Sequence, residues 1–246
     1  FPTRRSSDLL HARQWGLRCL VLERRGREYH KPCGDGLTVW AIHALDRLGI
    51  SLAALRSAGA QSITRSMHAY PAREDHLSFA EGDMLTLARP RLQVLLRERA
   101  EACGAAVRYG FQGEYRAEDG FVRAGDFTAR GCVNATGARR FALAGGLPKP
   151  QPLGVSAYIS ARCGNEDEHQ NRFIHCLNDP NGYCWAFPLG GGVWNVGIWQ
   201  TGDFERLKTH FEAFVRQELA ARFPGFAWLS QPRGAFLGVH CGAAFQ

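Results

Sequence analysis

Residues 17–23, LRCLVLE, constrain the fold most strongly: the run is largely apolar, rich in strand formers, and ends in an acid. A strand covered on both faces needs no polar alternation, so this reads as a buried parallel strand. Residues 10–15 before it read as the end of a helix, with Gly16 as its C-cap. After it come a basic loop, RRGREYH, the segment KPCGDGL, and an amphipathic helix from about Val39 to Leu48, closed by Gly49. A parallel strand placed between helices implies crossover connections and an α/β layer.

The chain then changes character. Residues 60–88 alternate weakly between turn signals and are expected to form strands. A second helix is predicted from about Arg91 to Cys103, because Leu92, Leu95, Leu96 and Ala100 recur at helical spacing and Gly104 follows. AAVRYG and the segments after it read as strands with a turn at Glu118–Gly120, and GCVNATGA as an apolar strand entering a glycine turn. Residues 152–201 are β-rich, with Gly, Asn and Pro at the turns. Asp203 is placed as the N-cap of a helix over Phe204–Phe223, ended by Pro224 and Gly225. The expected fold is therefore α/β (α+β): an incomplete βαβ nucleotide-binding layer interleaved with an antiparallel sheet. Residues 10–59 and 89–145 are assigned to the first, and 60–88 and 146–246 to the second. The first nine residues, FPTRRSSDL, resemble a translated sequencing adapter and are set aside as a non-native scar. The chain is expected to be truncated at both ends.

Composition excludes several classes. With 45% hydrophobic and 22% charged residues the chain is not disordered for most of its length. No run of 18 apolar residues exists and no signal peptide is visible, and cysteines that suit no disulfide framework lead to the expectation of a reducing cytoplasm. The net charge of +7 is spread along the chain rather than clustered. It fits either a solvated Arg-rich surface or attraction to phosphates and anionic membranes. Nucleic-acid binding is disfavoured, because no recognition module is present. The eight cysteines form no C-x-x-C pair and the nine histidines show no ligand spacing, so no metal site is expected.

Three stretches carry chemistry. Glu23 ends the apolar strand, where a dinucleotide-binding unit places the acid that binds a ribose hydroxyl. Counting back, the glycine fingerprint would fall on the adapter-like residues and is missing. In KPCGDGL, Lys31 to Leu37, two glycines flank Asp35 ahead of a helix, which makes either an ordinary turn or a loop that approaches a ligand. In GYCWAFPLGGGVWNVGI, Tyr183, Trp185 and Phe187 alternate and so share one strand face. That face is either sheet core or the wall of an apolar pocket ended by Pro188.

Together these stretches resemble the geranylgeranyl reductase branch of the flavoprotein monooxygenase-like superfamily. The resemblance spans about residues 10–240. It rests on VLERR, KPCGDGL, the R-x-x-L-Q-x-x-L stretch from Arg89, VNATGAR, and the Y-x-W-x-F-P motif with a glycine pair. It implies a Rossmann-like FAD-binding domain, with Glu23, Arg24, Lys31, Cys33, Gly34, Asp35, Arg89, Ala135, Thr136 and Gly137 around the cofactor. It places Tyr183, Trp185, Phe187, Pro188 and Gly197 against the substrate. Gln93 stands where the family often has Asp, and Trp199 where it has a second glycine.

The resemblance further implies that FAD, reduced by NAD(P)H or another donor, passes hydride to an isolated C=C bond of a prenyl chain. Cys33 is the candidate at the reacting face, as proton donor or as a small packing residue. A prenyl lipid or other apolar small molecule is the expected partner, with peripheral membrane contact for a lipid substrate. A monooxygenase or halogenase on the same fold is the alternative activity, and a fragment that holds no FAD the non-enzymatic one.

Overall fold

A computed structural model describes residues 12–13, 15–28, 31–70, 73–133, 152–161, 169–175, 182–200 and 204–236. Contacts divide the chain into two units, residues 1–30 with 96–136 and residues 31–95 with 137–246.

In the first unit, β1 (Leu20–Glu23) pairs in parallel with β7 (Ala106–Tyr109), as the sequence predicts. It is less covered than predicted: Leu17 and Leu20 are 47% and 39% exposed. A fully buried parallel strand needs neighbours on both edges, and among the described residues β7 is its sole partner. A meander follows, β8 (Tyr115–Glu118), β9 (Phe121–Ala124) and β10 (Phe127–Ala129). The β8–β9 hairpin turns through Asp119 and Gly120, both at positive φ, as a two-residue turn matched to strand twist requires. Residues 131–133, expected to open a strand, lie outside any sheet and are exposed, and the rest of that stretch lies outside the described residues.

The second unit is built on an eight-stranded sheet. Its strands β11 (Pro152–Ser160), β14 (Val193–Trp199), β13 (Tyr183–Pro188), β12 (Gln170–His175), β4 (Arg65–Tyr70) and β5 (Arg73–Ser78) run side by side in that order. β15 (Ala227–Trp228) and β16 (Arg233–Phe236) both pair with the outer edge of β11. All pairings except the parallel β12–β4 are antiparallel. A small three-stranded sheet joins β2 (Gly36–Thr38), β6 (Met84–Thr86) and β3 (Gln61–Ser62).

One face of the large sheet is plain core. Val155, Ala157, Ile159, Cys184, Ala186, Trp194, Val196 and Ile198 are buried there against Leu207, Phe211, Phe214, Leu219 and Phe223. These last five come from the predicted C-terminal helix, which is α4 (Phe204–Phe214), a π turn (Val215–Leu219) and α5 (Ala220–Arg222). Regular α spacing would bring Glu218 onto the buried stripe after Phe214. The π turn adds one residue to that turn, so Leu219 takes the place instead.

The remaining helices are α1 (Val39–Arg47), α2 (Leu52–Ser57) and α3 (Arg89–Ala102). α2 has no counterpart in the sequence expectation; the hydroxyl of Ser51 caps it, accepting from the Ala54 amide at 3.2 Å. α3 begins two residues before the predicted start and buries Leu92, Leu96 and Ala100. Among the described residues no helix is long and apolar enough to cross a membrane.

Candidate functional site

The KPCGDGL segment does not feed a helix directly. Gly36–Thr38 is the strand β2, paired to β6, and α1 starts only at Val39. The helix end that meets the loop is that of α3. Its first amide, Arg89 N–H, has no partner within the helix and donates to Asp35 Oδ1 at 2.9 Å. Asp35 caps this helix from 54 residues away. It does so at φ +66° and 3% exposure. Aspartate tolerates this left-handed conformation better than most residues, at some cost. The backbone is held by Leu87, whose amide donates to the Asp35 carbonyl at 2.9 Å.

The second face of the large sheet looks onto this loop. Tyr158 on β11, Asn195 on β14 and the aromatic row of β13 occupy the positions alternate to the core residues. Asn195, 1% exposed, joins the parts. Its Nδ2 donates to the Cys33 carbonyl at 2.6 Å and to Asp35 Oδ2 at 2.8 Å, while its Oδ1 accepts from the Trp185 indole N–H at 2.7 Å. The Arg89 guanidinium donates to Cys33 Sγ at 2.9 Å. The structure thus brings Cys33, Asp35, Arg89 and Trp185 together, with Asn195 and Tyr158, which the sequence reading did not single out. The available signal for Asn195 was an amide alone in the apolar run VWNVGI.

Burial pushes the Asp35 carboxyl up to about 6, against the opposing pull of Asn195, Tyr158 and Arg89. Tyr158 is held above the ordinary phenol range, first by burial and then by the charge and hydrogen bond of Asp35. Tyr183 is raised as well, by burial and then by Cys33.

Tyr183, Trp185 and Phe187 do share one face, with ring centroids 6.1 and 6.2 Å apart along the strand. Their roles diverge. Trp185 and Phe187 are 7% and 6% exposed and pack on the loop. A Cβ at Gly34 would lie 3.3 Å from the Phe187 ring and 3.5 Å from the Trp185 indole, so the loop packs closely on both rings. Gly197 is set by packing: the Trp185 ring and the Val155 carbonyl fill the space its Cβ would need. Pro188 ends β13, and its carbonyl accepts from the buried Thr86 hydroxyl. The half-buried part of the aromatic row is Tyr183 with Phe173 at 5.4 Å and Trp199 at 5.7 Å. His68 stacks on Phe173 at 4.6 Å. Phe173, Trp199 and His68 were not among the predicted wall residues.

Glu23 and Arg24 lie at the end of β1 in the first unit, where Glu23 Oε1 accepts from the Arg25 amide at 2.9 Å. Lys31 is half-buried. Ala135, Thr136 and Gly137 lie outside the described residues.

The buried Nε of Arg89 has no hydrogen-bond partner among the described residues. An orphaned guanidinium donor is costly unless something accepts from it. Beside the Cys33–Asp35 loop and an aromatic floor, it suits a planar, acceptor-rich ring, and the residues present fit a flavin.

Comparison with known proteins decides the fold. Residues 6–126, just under half of the chain, match the family described as the FAD binding domain. A flavoprotein/dehydrogenase from Cytophaga hutchinsonii matches over 94% of this chain and 62% of its own, at 16% identity and a TM-score of 0.71. The chain has the mixed α/β fold of these flavoproteins. A geranylgeranyl bacteriochlorophyll reductase-like protein from Thermoplasma acidophilum matches at 22% identity and a TM-score of 0.69, over 94% of this chain and 63% of its own. A flavin-dependent brominase matches at 15% identity and a TM-score of 0.71, over 94% and 63%. The chain thus spans under two thirds of the length of these proteins. No curated protein sequence matches it.

Proposed function

We propose that this chain is the greater part of an FAD-dependent oxidoreductase that reduces isolated C=C bonds of a prenyl chain. The observation that carries this reading is the Asn195 junction, which sets a polar loop suited to a flavin edge against an aromatic strand suited to an apolar chain. When bound, FAD supplies the hydride, drawn from NAD(P)H or another reductant. Arg89 would offer its spare Nε–H to a ring acceptor, and the Cys33–Asp35 backbone would lie along the ring edge. Glu23 and Arg24 would hold the ribose and phosphate end, and Ala135, Thr136 and Gly137 the remaining flavin stretch. Tyr183, Phe173 and Trp199 would line the prenyl chain, with Trp185 and Phe187 behind them excluding water. Cys33, touched by the Arg89 guanidinium, is the candidate to deliver the proton that completes the addition. A prenyl lipid as substrate would bring the protein to a membrane surface.

The neighbours also include a flavin-dependent brominase and a flavin-dependent halogenase, which supports a monooxygenase or halogenase as the second reading. The two separate in one experiment on the complete protein. Its flavin is reduced without oxygen, geranylgeranyl diphosphate is added, and the flavin absorbance is followed. Reoxidation with a saturated product is expected. Reoxidation only after oxygen is admitted would favour the second reading, and failure to retain any flavin would remove both. Cys33→Ala should slow reoxidation; unchanged turnover would exclude the thiol as donor.

A further inference from the structure

One carboxamide performs three tasks in this site. Asn195 comes from the middle of β14, 162 residues from Cys33 in sequence, and is 1% exposed. It spends both functional ends of its amide. The donor end binds the loop at the Cys33 carbonyl and at Asp35 Oδ2, and the acceptor end binds the Trp185 indole. The Trp185 ring in turn lies over Gly197 and near Gly34. The loop and the aromatic strand therefore have no independent freedom at this point. If Trp185 tilts, the Asn195 amide must follow or lose its bond, and the loop carbonyl and carboxylate lose theirs. Buried amides with all partners satisfied select one arrangement, because any other leaves a desolvated donor or acceptor behind.

We propose that Asn195 is a positioning residue that couples the two halves of the site, so that occupancy of the aromatic wall and occupancy of the flavin loop each strengthen the other. The proposal rests on the function proposed above, since it takes the loop as the flavin side and the wall as the apolar side. Coupling between two ligands is reciprocal: the factor by which one changes the affinity of the other is the same in both directions. A residue that only stabilises the fold weakens one or both ligands without removing that factor.

The test is calorimetric and needs no turnover. The affinity of the complete apo-protein for oxidised FAD is measured with and without saturating geranylgeranyl diphosphate, and the affinity for the diphosphate with and without FAD. In the wild-type protein the two ratios should agree and lie in the range of about 5- to 150-fold typical of such coupling. In Asn195→Leu, which keeps the bulk and removes both ends of the amide, the ratio should fall to about one while both ligands still bind. Trp185→Phe keeps a ring over Gly197 and removes only the indole donor; it should lower the ratio too, and it carries the test if the leucine variant does not fold. A ratio of one in the wild type, or an undiminished ratio in the variants that fold, overturns the proposal. A wild-type protein that takes up no FAD overturns the function it rests on, which is a different result from FAD binding without coupling.

Discussion

Asn195 and Val196 are neighbours in β14, yet they belong to different chemistry. Val196 and its alternates Trp194 and Ile198 are at most 1% exposed and pack in one cluster with apolar groups from α4, the π turn and the other strands. Asn195 and its alternate Gly197 face a loop, a buried carboxyl and an indole. The first face tolerates any well-packed set of apolar side chains of the right volume. The second depends on individual atoms, since an exchange there leaves a buried donor or acceptor without its mate. Stability should therefore be concentrated on one face and ligand recognition on the other.

The largest effect expected from this contrast is on the core face. Trp194 is 1% exposed and its ring lies 4.7 Å from that of Phe223. Trp194→Ala should cost about 3–5 kcal/mol, read as a lower denaturation midpoint. The variant that stays folded at low temperature should bind FAD as the wild type does. A stability loss below about 1 kcal/mol would mean that the helix does not seal this face.

On the other face the largest effect depends on pH. The folded-state pKa of Asp35, about 6, lies above its ordinary value of 3.8. Protonated Asp35 is thus favoured by folding. Its contribution to stability is fully present below about pH 3.8 and is lost as pH rises through about 6. A shift of this size corresponds to roughly 3 kcal/mol. The groups facing it are Arg89 from α3, Cys33 from the loop, Tyr158 from β11 and Asn195 from β14. Asp35→Asn should be less stable in absolute terms, because its new N–H faces the Asn195 donor. The readout is the slope: between pH 4 and 7 the wild type should lose stability relative to the variant. Parallel curves would show that Asp35 ionises normally.

How much of this was legible in the sequence follows the same division. Apolar periodicity marked α1 and α3, and weak alternation, β-rich composition and turn or cap residues marked the strands between residues 60–88 and 152–201 and the C-terminal helix, while β15 and β16 went unmarked. It did not reveal the π turn, since the change from α spacing costs one hydrogen-bonding step that no single residue announces. It missed α2 because LAALRS is too short to show a period. It gave too buried a place to β1, since a single run shows that a strand can be covered but not whether neighbours cover it. At the junction, Cys33, Asp35, Arg89, Trp185 and Phe187 had been singled out through their motifs. Asn195 and Tyr158 were not, because their roles are made by pairing β14 with β11 and β13, a contact that lies in register rather than in either segment.

A third test asks how rigidly the recognition face is packed. At Gly197 the space for a Cβ is already filled by the Trp185 ring and the Val155 carbonyl. Gly197→Ala should cost about 1–3 kcal/mol by overpacking. It should also displace the indole enough to break its bond to Asn195, so near-ultraviolet circular dichroism should change in the tryptophan region. The family resemblance casts Gly197 as a substrate contact, and the packing casts it as the seat of Trp185. An alanine variant with unaltered Trp signals but weakened prenyl binding would restore the first role.

The smallest effect is expected at the half-buried end of the aromatic row, where the wall should matter for a ligand and little for the fold. Tyr183 keeps its ring 5.4 Å from Phe173 and 5.7 Å from Trp199. Tyr183→Phe preserves both contacts, so stability should change by no more than about 1 kcal/mol and prenyl affinity should hold. Tyr183→Ala removes the ring. An aromatic contact of this kind is worth about 0.5–1.5 kcal/mol, so affinity should fall roughly two- to tenfold in titrations of the FAD-loaded protein with geranylgeranyl diphosphate. Should the phenylalanine variant lose as much affinity as the alanine variant, the hydroxyl rather than the ring would be the recognition element. The row would then be a polar contact surface, and the choice of an apolar chain as substrate would have to be given up.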